Sequence, residues 1–403
     1  MPPIEPTAPV VSPGFLLLIP LQLDRDVADL PAMAGIEPHP PGWTAARAAA
    51  FDQAAAHLLG RQFLRQGRIR RQPLGRIALS TQAAGQPGAG DVTLVTHSAG
   101  VALWEVWLPA PAQPLDAGRW IGWLDPDAAE GIVAPAWAVL SGLGSALGAE
   151  PTWPGLCFPH IVLRAPDMPL ATLLETEAEA LVRLLMLDRS AVALKPEIVA
   201  ATLEADHCAR QDGMTLLARR AALDIHARQR ARAFPDADGQ PAQSALPFII
   251  TVETLILERA ALSRLYDRLV RAAPQSVDSL LALKRDVYGA LEEYYGATLA
   301  GSRFSDSVSA TGEALLGITD LYEALMERLD GLSFEITTRY QNRMTLLQFW
   351  LTIVFGATEI GFIASSIATW HYRAELGAVL AWTVGAAVVS GVALVIILRR
   401  WTR

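Results

Sequence analysis

Six polar residues line up through a largely apolar stretch near the end of this chain: Gln341, Thr345, Gln348, Thr352, Glu359 and Ser366. They recur at intervals of three, four or seven residues, which places them along one face of a helix. Hydroxyl, amide and carboxylate oxygens in a row can replace water around a cation. Inside hydrocarbon, a carboxylate at Glu359 costs about 2.5–3.5 kcal/mol, so this face should point at protein or water rather than lipid. Two arrangements satisfy that demand. In a symmetric oligomer the line borders a central pore, where a ring of Glu359 side chains would repel itself unless a cation sits among them. In a structural bundle the Thr and Gln side chains bond to backbone carbonyls, Glu359 pairs within the bundle, and nothing is conducted.

A second line of oxygens, Asp320, Glu323, Glu327 and Asp330, repeats at three, four and three residues. Hard cations take oxygen ligands, so this line suits a regulatory Mg²⁺ or another divalent cation between neighbouring helices; a solvated helix face accounts for it equally well. Other chemistry is thinner. Thr96-His-Ser98-Ala-Gly100 has the Ser of a nucleophile elbow, but Thr96 stands where the sharp turn needs Gly, and the next residues alternate like a strand. Asp206-His207-Cys208 has metal-binding atom types without a second pair at ligand spacing, and reads as a turn. His371 adjoins Trp370 in the position of an interfacial aromatic anchor. No Walker-type loop is present, which disfavours an ATP-driven pump, and no constellation calls for an enzyme or a resident cofactor.

The elements that carry the first line are two long apolar runs, 346–370 and 376–398, each sufficient for a hydrocarbon core that takes about 20 helical residues. Only His-Tyr-Arg-Ala-Glu separates them, so they must form an antiparallel hairpin. Arg339 and Arg343 before it and Arg399, Arg400 and Arg403 after it put both ends on the cytoplasmic side, as in a multi-pass protein of a prokaryotic inner membrane. Gly377, Ala381 and Gly385, four apart, form a small-residue strip suited to close helix contact. Upstream, Ile318, Tyr322, Leu325, Leu329, Leu332 and Ile336 alternate spacings of four and three, with Tyr340 four further on, a coiled-coil stripe on a stalk helix that would pack against copies or partners.

The remainder of the 403 residues is long enough for a sizeable soluble core. Residues 1–14 are Pro-rich and read as a disordered leader. Strands are expected at FLLLIPLQL, RIRRQPLGRIALS, DVTLVTHS, VALWEVWLP, RWIGWLD and LCFPHIVLRA, and a helix at WTAARAAAFDQAAAHLLGRQFLRQ, giving an α+β or α/β domain over 15–246. LATLLETEAEALVRLLML is an amphipathic helix, while GMTLLARRAALDIHARQ fits either a helix or a strand hairpin. A helical stalk follows over 247–345, broken at Pro274 and near GSRFSDS. The net charge of −8 leaves no general field for nucleic acid, and two cysteines are too few for a disulfide framework.

Asn342-Arg343-Met344 at the membrane edge, then Phe362-Ile363-Ala364 and the small Ser365, with a stalk before and basic residues after, together resemble the CorA family of divalent-cation transporters. The resemblance covers about residues 250–403. It implies a cytoplasmic α+β domain, a homopentamer, a pore formed by the first span and cation transport driven by the membrane potential, with magnesium the family's typical cargo. Where the family closes its first span with Gly-Met-Asn, this chain has Ala368, Thr369 and Trp370, so the selectivity element does not carry over. The expected function is an oligomeric cation channel lined by Thr345, Gln348, Thr352, Glu359 and Ser366. The alternative is a membrane-anchored signalling or interaction protein whose hairpin only anchors and oligomerises it.

Overall fold

A computed structural model describes residues 9–23, 36–38, 49–55, 69–79, 84–97, 100–128, 131–147, 149–151, 157–233, 245–271, 279, 281–282, 284–285, 287, 303–371 and 375–401. The chain divides into two compact units, Met1–Ala272 with Lys284–Arg328, and Ala273–Leu283 with Leu329–Arg403.

The first unit is built on a sheet ordered β2-β3-β4-β1-β7-β9-β8, with β5 and β6 pairing additionally with β1. Its strands are β1 (Val10–Leu23), β2 (Ile69–Ala78), β3 (Ala89–His97), β4 (Val101–Pro109), β5 (Gln113–Pro114), β6 (Ala149–Pro151), β7 (Phe158–Ala165), β8 (Gly213–Leu217) and β9 (Ala222–Ala227). All pairings are antiparallel except β7 with β9. β1 is central, which explains its unbroken apolar run: a strand covered on both faces has no reason to alternate. It begins at Val10, so residues 10–14 belong to the sheet and not to a disordered leader. Gly14 has a structural role there, since a methyl group in its place would fall inside the buried Trp107 ring.

Helices cover both faces. On one side lie α1 (Ala117–Leu124), α2 (Val133–Leu147) and α3 (Leu170–Met186). Phe15, Leu17, Ile19 and Leu21 meet Trp120, Trp123, Val133, Leu173 and Leu184 there in a wholly apolar core. The Phe15 ring sits edge-on to Trp120 and Trp123, with centroids 6.2 and 6.1 Å away. RWIGWLD, expected as a strand, therefore lies in helix α1. Its apolar residues at 117, 120, 121 and 124 follow helical spacing, and the Asp116 carboxylate caps the first turn by accepting from Arg119 N at 3.0 Å. The ambiguous segment after α4 (Pro196–Glu204) is the β8–β9 hairpin, followed by α5 (Arg228–Ala233). Of the Ala-rich helix expected at 43–66, the described part, 49–55, is helical.

The opposite face is covered by α6 (Leu246–Arg271), and α7 (Arg303–Leu315) packs on α6. These two helices, expected as part of a stalk beginning at 247, belong to the compact sheet unit. The break expected at Pro274 lies outside the described residues, and of the one expected near GSRFSDS the described part, 303–307, is helical, forming the first turns of α7.

After a turn at Gly317, α8 runs from Ile318 to His371, and α9 from Leu376 to Trp401. At about 1.5 Å per residue, the 54 residues of α8 extend roughly 80 Å. Within the chain Ile318, Leu325, Leu329, Leu332 and Ile336 of the heptad stripe are buried, Tyr322 is half-buried and Tyr340 is exposed.

Candidate functional site: a polar face on the longest helix

α8 and α9 are the two described helices long and apolar enough to cross a membrane. Only 17% and 6% of their apolar windows are buried within the chain, unlike the core helix of a soluble protein. Phe362, Trp370, Leu376 and Val389 are 73%, 84%, 77% and 69% exposed, an apolar surface that water would not stabilise.

The hairpin closes on small residues. A methyl on Gly361 would stand 3.3 Å from Ala387 Cβ and 3.5 Å from the Thr383 carbonyl, and one on Gly356 would stand 3.1 Å from Leu394 Cδ1. Ile353 and Ala368 are buried on this side of α8. The strip Gly377, Ala381 and Gly385 does not make this contact: added methyl groups at both glycines would meet nothing within 4 Å, and all three residues are exposed. The packing side of α9 is instead Thr383, Ala387, Gly391 and Leu394, which approach Gly361, Gly356 and Ala357.

Gln341, Thr345, Gln348, Thr352, Glu359 and Ser366 are all exposed. At 3.6 residues per turn their line lies about 165° round the helix from the Ile353–Gly361–Ala368 side. All three hydroxyls of the line donate to carbonyls one turn back: Thr345 to Gln341 at 2.9 Å, Thr352 to Gln348 at 2.8 Å and Ser366 to Phe362 at 3.0 Å. Their lone pairs still face outward, because such a bond uses only the proton. Ala368, Thr369 and Trp370 form a regular last helical turn, in which Thr369 donates to Ser365 O at 2.7 Å.

Asp320, Glu323, Glu327 and Asp330 are likewise exposed, on the side of α8 opposite the buried heptad residues. Among the described residues no group of three His, Cys, Asp or Glu side chains is placed to hold a metal ion. The remaining motifs resolve into local structure. Thr96 and His97 end β3 at the hairpin to β4, with Gly100 in the left-handed region (φ 74°), and Ser98 lies outside the described residues. Asp206 accepts from Cys208 N at 2.8 Å and Thr215 N at 2.7 Å, forming a turn, while His207 Nδ1 meets Ser307 Oγ at 2.8 Å.

The sheet face under α6 carries a second concentration of polar groups that sequence reasoning missed. Register places Arg71, Asp91, Thr93, Glu105, His160, Thr215, Asp224 and His226 on that face. His226 Nε2 bonds Asp224 Oδ2 at 2.8 Å, and Thr215 Oγ1 donates to Asp224 Oδ1 at 3.1 Å. His160 packs edge-on against Phe248 of α6, centroids 4.6 Å apart, and burial pulls its pKa down to about 4, so it is neutral. A signal was present: Glu105 sits mid-strand in VALWEVWLP, and a carboxylate among Trp and Val residues needs a buried partner.

Comparison with family models, with curated proteins and with solved structures returns no match.

Proposed function

We propose that this chain is a subunit of an oligomeric cation channel in which Thr345, Gln348, Thr352, Glu359 and Ser366 border the ion pathway. The observation that carries the reading is the exposed polar face of α8, turned away from its hairpin partner and bearing a carboxylate in the apolar segment. Lipid is a poor neighbour for Glu359, and the described residues leave it exposed, so water between copies is the least costly surrounding. Along α8 the carboxylates Asp320, Glu323, Glu327 and Asp330 precede this line on the same side, since Gln341 follows Glu327 by 14 residues, close to four turns. Negative charge ahead of a polar line concentrates cations and repels anions. The resemblance to the CorA family adds an expected homopentamer with cytoplasmic termini, a divalent cation such as Mg²⁺ as cargo or regulator, and the membrane potential as driving force. Helical Ala368–Trp370 in place of Gly-Met-Asn leaves selectivity to the line itself.

A second reading, a membrane-anchored interaction protein, draws on the hydroxyls that already bond their own backbone. Reconstitution separates the two. Liposomes holding the parent protein under an imposed potential should take up Mg²⁺, and Glu359→Ala should change the rate or the preference among cations while the oligomer survives. Uptake equal to that of protein-free liposomes, or a solubilised complex with the mass of a monomer or dimer, would remove the channel.

A further inference from the structure

Between the sheet and α6, three charged side chains meet. Arg71 of β2 donates from Nη1 to Glu105 Oε2 of β4 at 2.6 Å, and from Nη2 to Glu253 Oε2 of α6. Glu105 and Glu253 are 1% and 3% exposed, and the guanidinium carbon lies 3.1 Å from the centre of the Phe51 ring. Among the described residues two carboxylates share one guanidinium, a negative balance that a buried site tolerates poorly. Glu253 Oε1 is buried and forms no hydrogen bond among the described residues, although buried polar atoms need partners. One proton meets both deficits: it neutralises the excess charge and, placed between the carboxyl groups, gives the orphaned oxygen its bond. A half-enclosed pocket lined by Phe51, Asp52, Ile69, Arg71, Glu253 and Thr254 offers that proton a route to solvent.

We propose that Glu253, Glu105 and Arg71 form a proton-operated latch, in which one proton shared by the two carboxyl groups holds α6 against the sheet and its loss releases the helix. The facing titratable groups are Arg71 from β2, Glu105 from β4 and Asp52 from the helical segment 49–55. Burial first, and then the Glu105 charge acting against the Arg71 attraction, push the Glu253 carboxyl up to about 8. Because the released helix returns Glu253 to water and its ordinary range, the released state binds fewer protons, and docking weakens as pH rises towards 8. Two other groups on this interface titrate. Glu258 of α6 is pushed up to about 7 by burial and by Glu313 of α7, and His160 beneath Phe248 stays neutral above pH 6.5.

The test is amide hydrogen exchange of α6 in the detergent-solubilised full chain at pH 6.5 and 7.5, with the intrinsic chemical rate divided out. In Glu258→Gln, which silences the neighbouring carboxyl, the opening constant of α6 should rise about tenfold over that pH unit. In the double variant Glu253→Gln, Glu258→Gln it should change less than twofold, since the amide mimics the protonated acid. An equal rise in both would overturn the latch. If the double variant fails to fold, infrared titration of Glu258→Gln decides: a buried carboxylic-acid band must be present at pH 6.5 and lost with a midpoint near 8, and its absence at pH 6.5 would sink the proposal.

Discussion

Whether the polar face of α8 meets water can be read directly by thiol chemistry. Cysteine is placed singly at positions 345, 352, 359 and 366 of the polar line, at Val354, which is 56% exposed but off that line, and at Ile353, buried against the hairpin. Of the native thiols, Cys157 is buried and its pKa is pushed up to about 12, so it stays unreactive; Cys208 is partly exposed and is replaced by serine. The chain is reconstituted and treated with a charged, membrane-impermeant thiol reagent. Bringing a charge to a hydrocarbon-facing site costs at least the roughly 2.5–3.5 kcal/mol of a charged side chain there. At about 1.4 kcal/mol per tenfold, that slows the reaction by about a hundredfold. Positions 352, 359 and 366 should therefore label about a hundred times faster than 354, and 353 should stay inert because it is covered by protein. The rates should rise and fall with the three-, four- and seven-residue spacing, not with depth alone. Equal rates at 352, 354 and 359, or fast labelling only at the two ends, would mean that lipid or protein lies along the whole helix, and the pore argument would fail.

The hairpin and the sheet make their own predictions. Gly361→Leu should lower the thermal midpoint of the solubilised protein, as overpacking against Ala387 costs about 1–3 kcal/mol, while Gly385→Leu should leave the hairpin unaffected because its surroundings are open. A matching loss in both would mean that Gly385 also packs. His160 is held neutral by burial, with its pKa lowered to about 4, so the unfolded chain binds the extra proton and stability falls as pH drops from 6.5 towards 4. Relative to His160→Leu, the parent should lose up to about 1.4 kcal/mol per pH unit over that range in denaturant titrations, and parallel pH profiles would refute the assignment.

What could be read without coordinates follows the range of the interactions involved. β1 and the two apolar helices announce themselves because their signal is continuous: Phe15–Ile19 is apolar without a gap, and α9 carries no ionisable residue between Leu376 and Leu398. The RWIGWLD segment misleads because two Trp and an Ile within seven residues match strand composition, and only the Asp116 cap and the 117–120–121–124 spacing reveal the helix. Gly377–Gly385 shows a different limit, since close-packing potential does not say which helix accepts it, and inside the hairpin the contact falls to Gly356, Gly361 and Gly391. The Arg71–Glu105–Glu253 cluster was beyond local reading, because its members lie 34 and 182 residues from Arg71 and meet only through strand register and the placement of α6. Yet each member breaks its own local pattern, Glu105 inside an apolar strand and Glu253 inside an apolar helix. Charges that contradict their surroundings are costly alone, so the presence of two such carboxylates already requires a buried cation or proton between them. The same logic applied to Glu359 is what turns an apolar hairpin from a plain anchor into a candidate pathway. There the described residues pair Glu359 with neither a cation nor a hydrogen-bond donor, and the thiol labelling above tests whether water lies beside it.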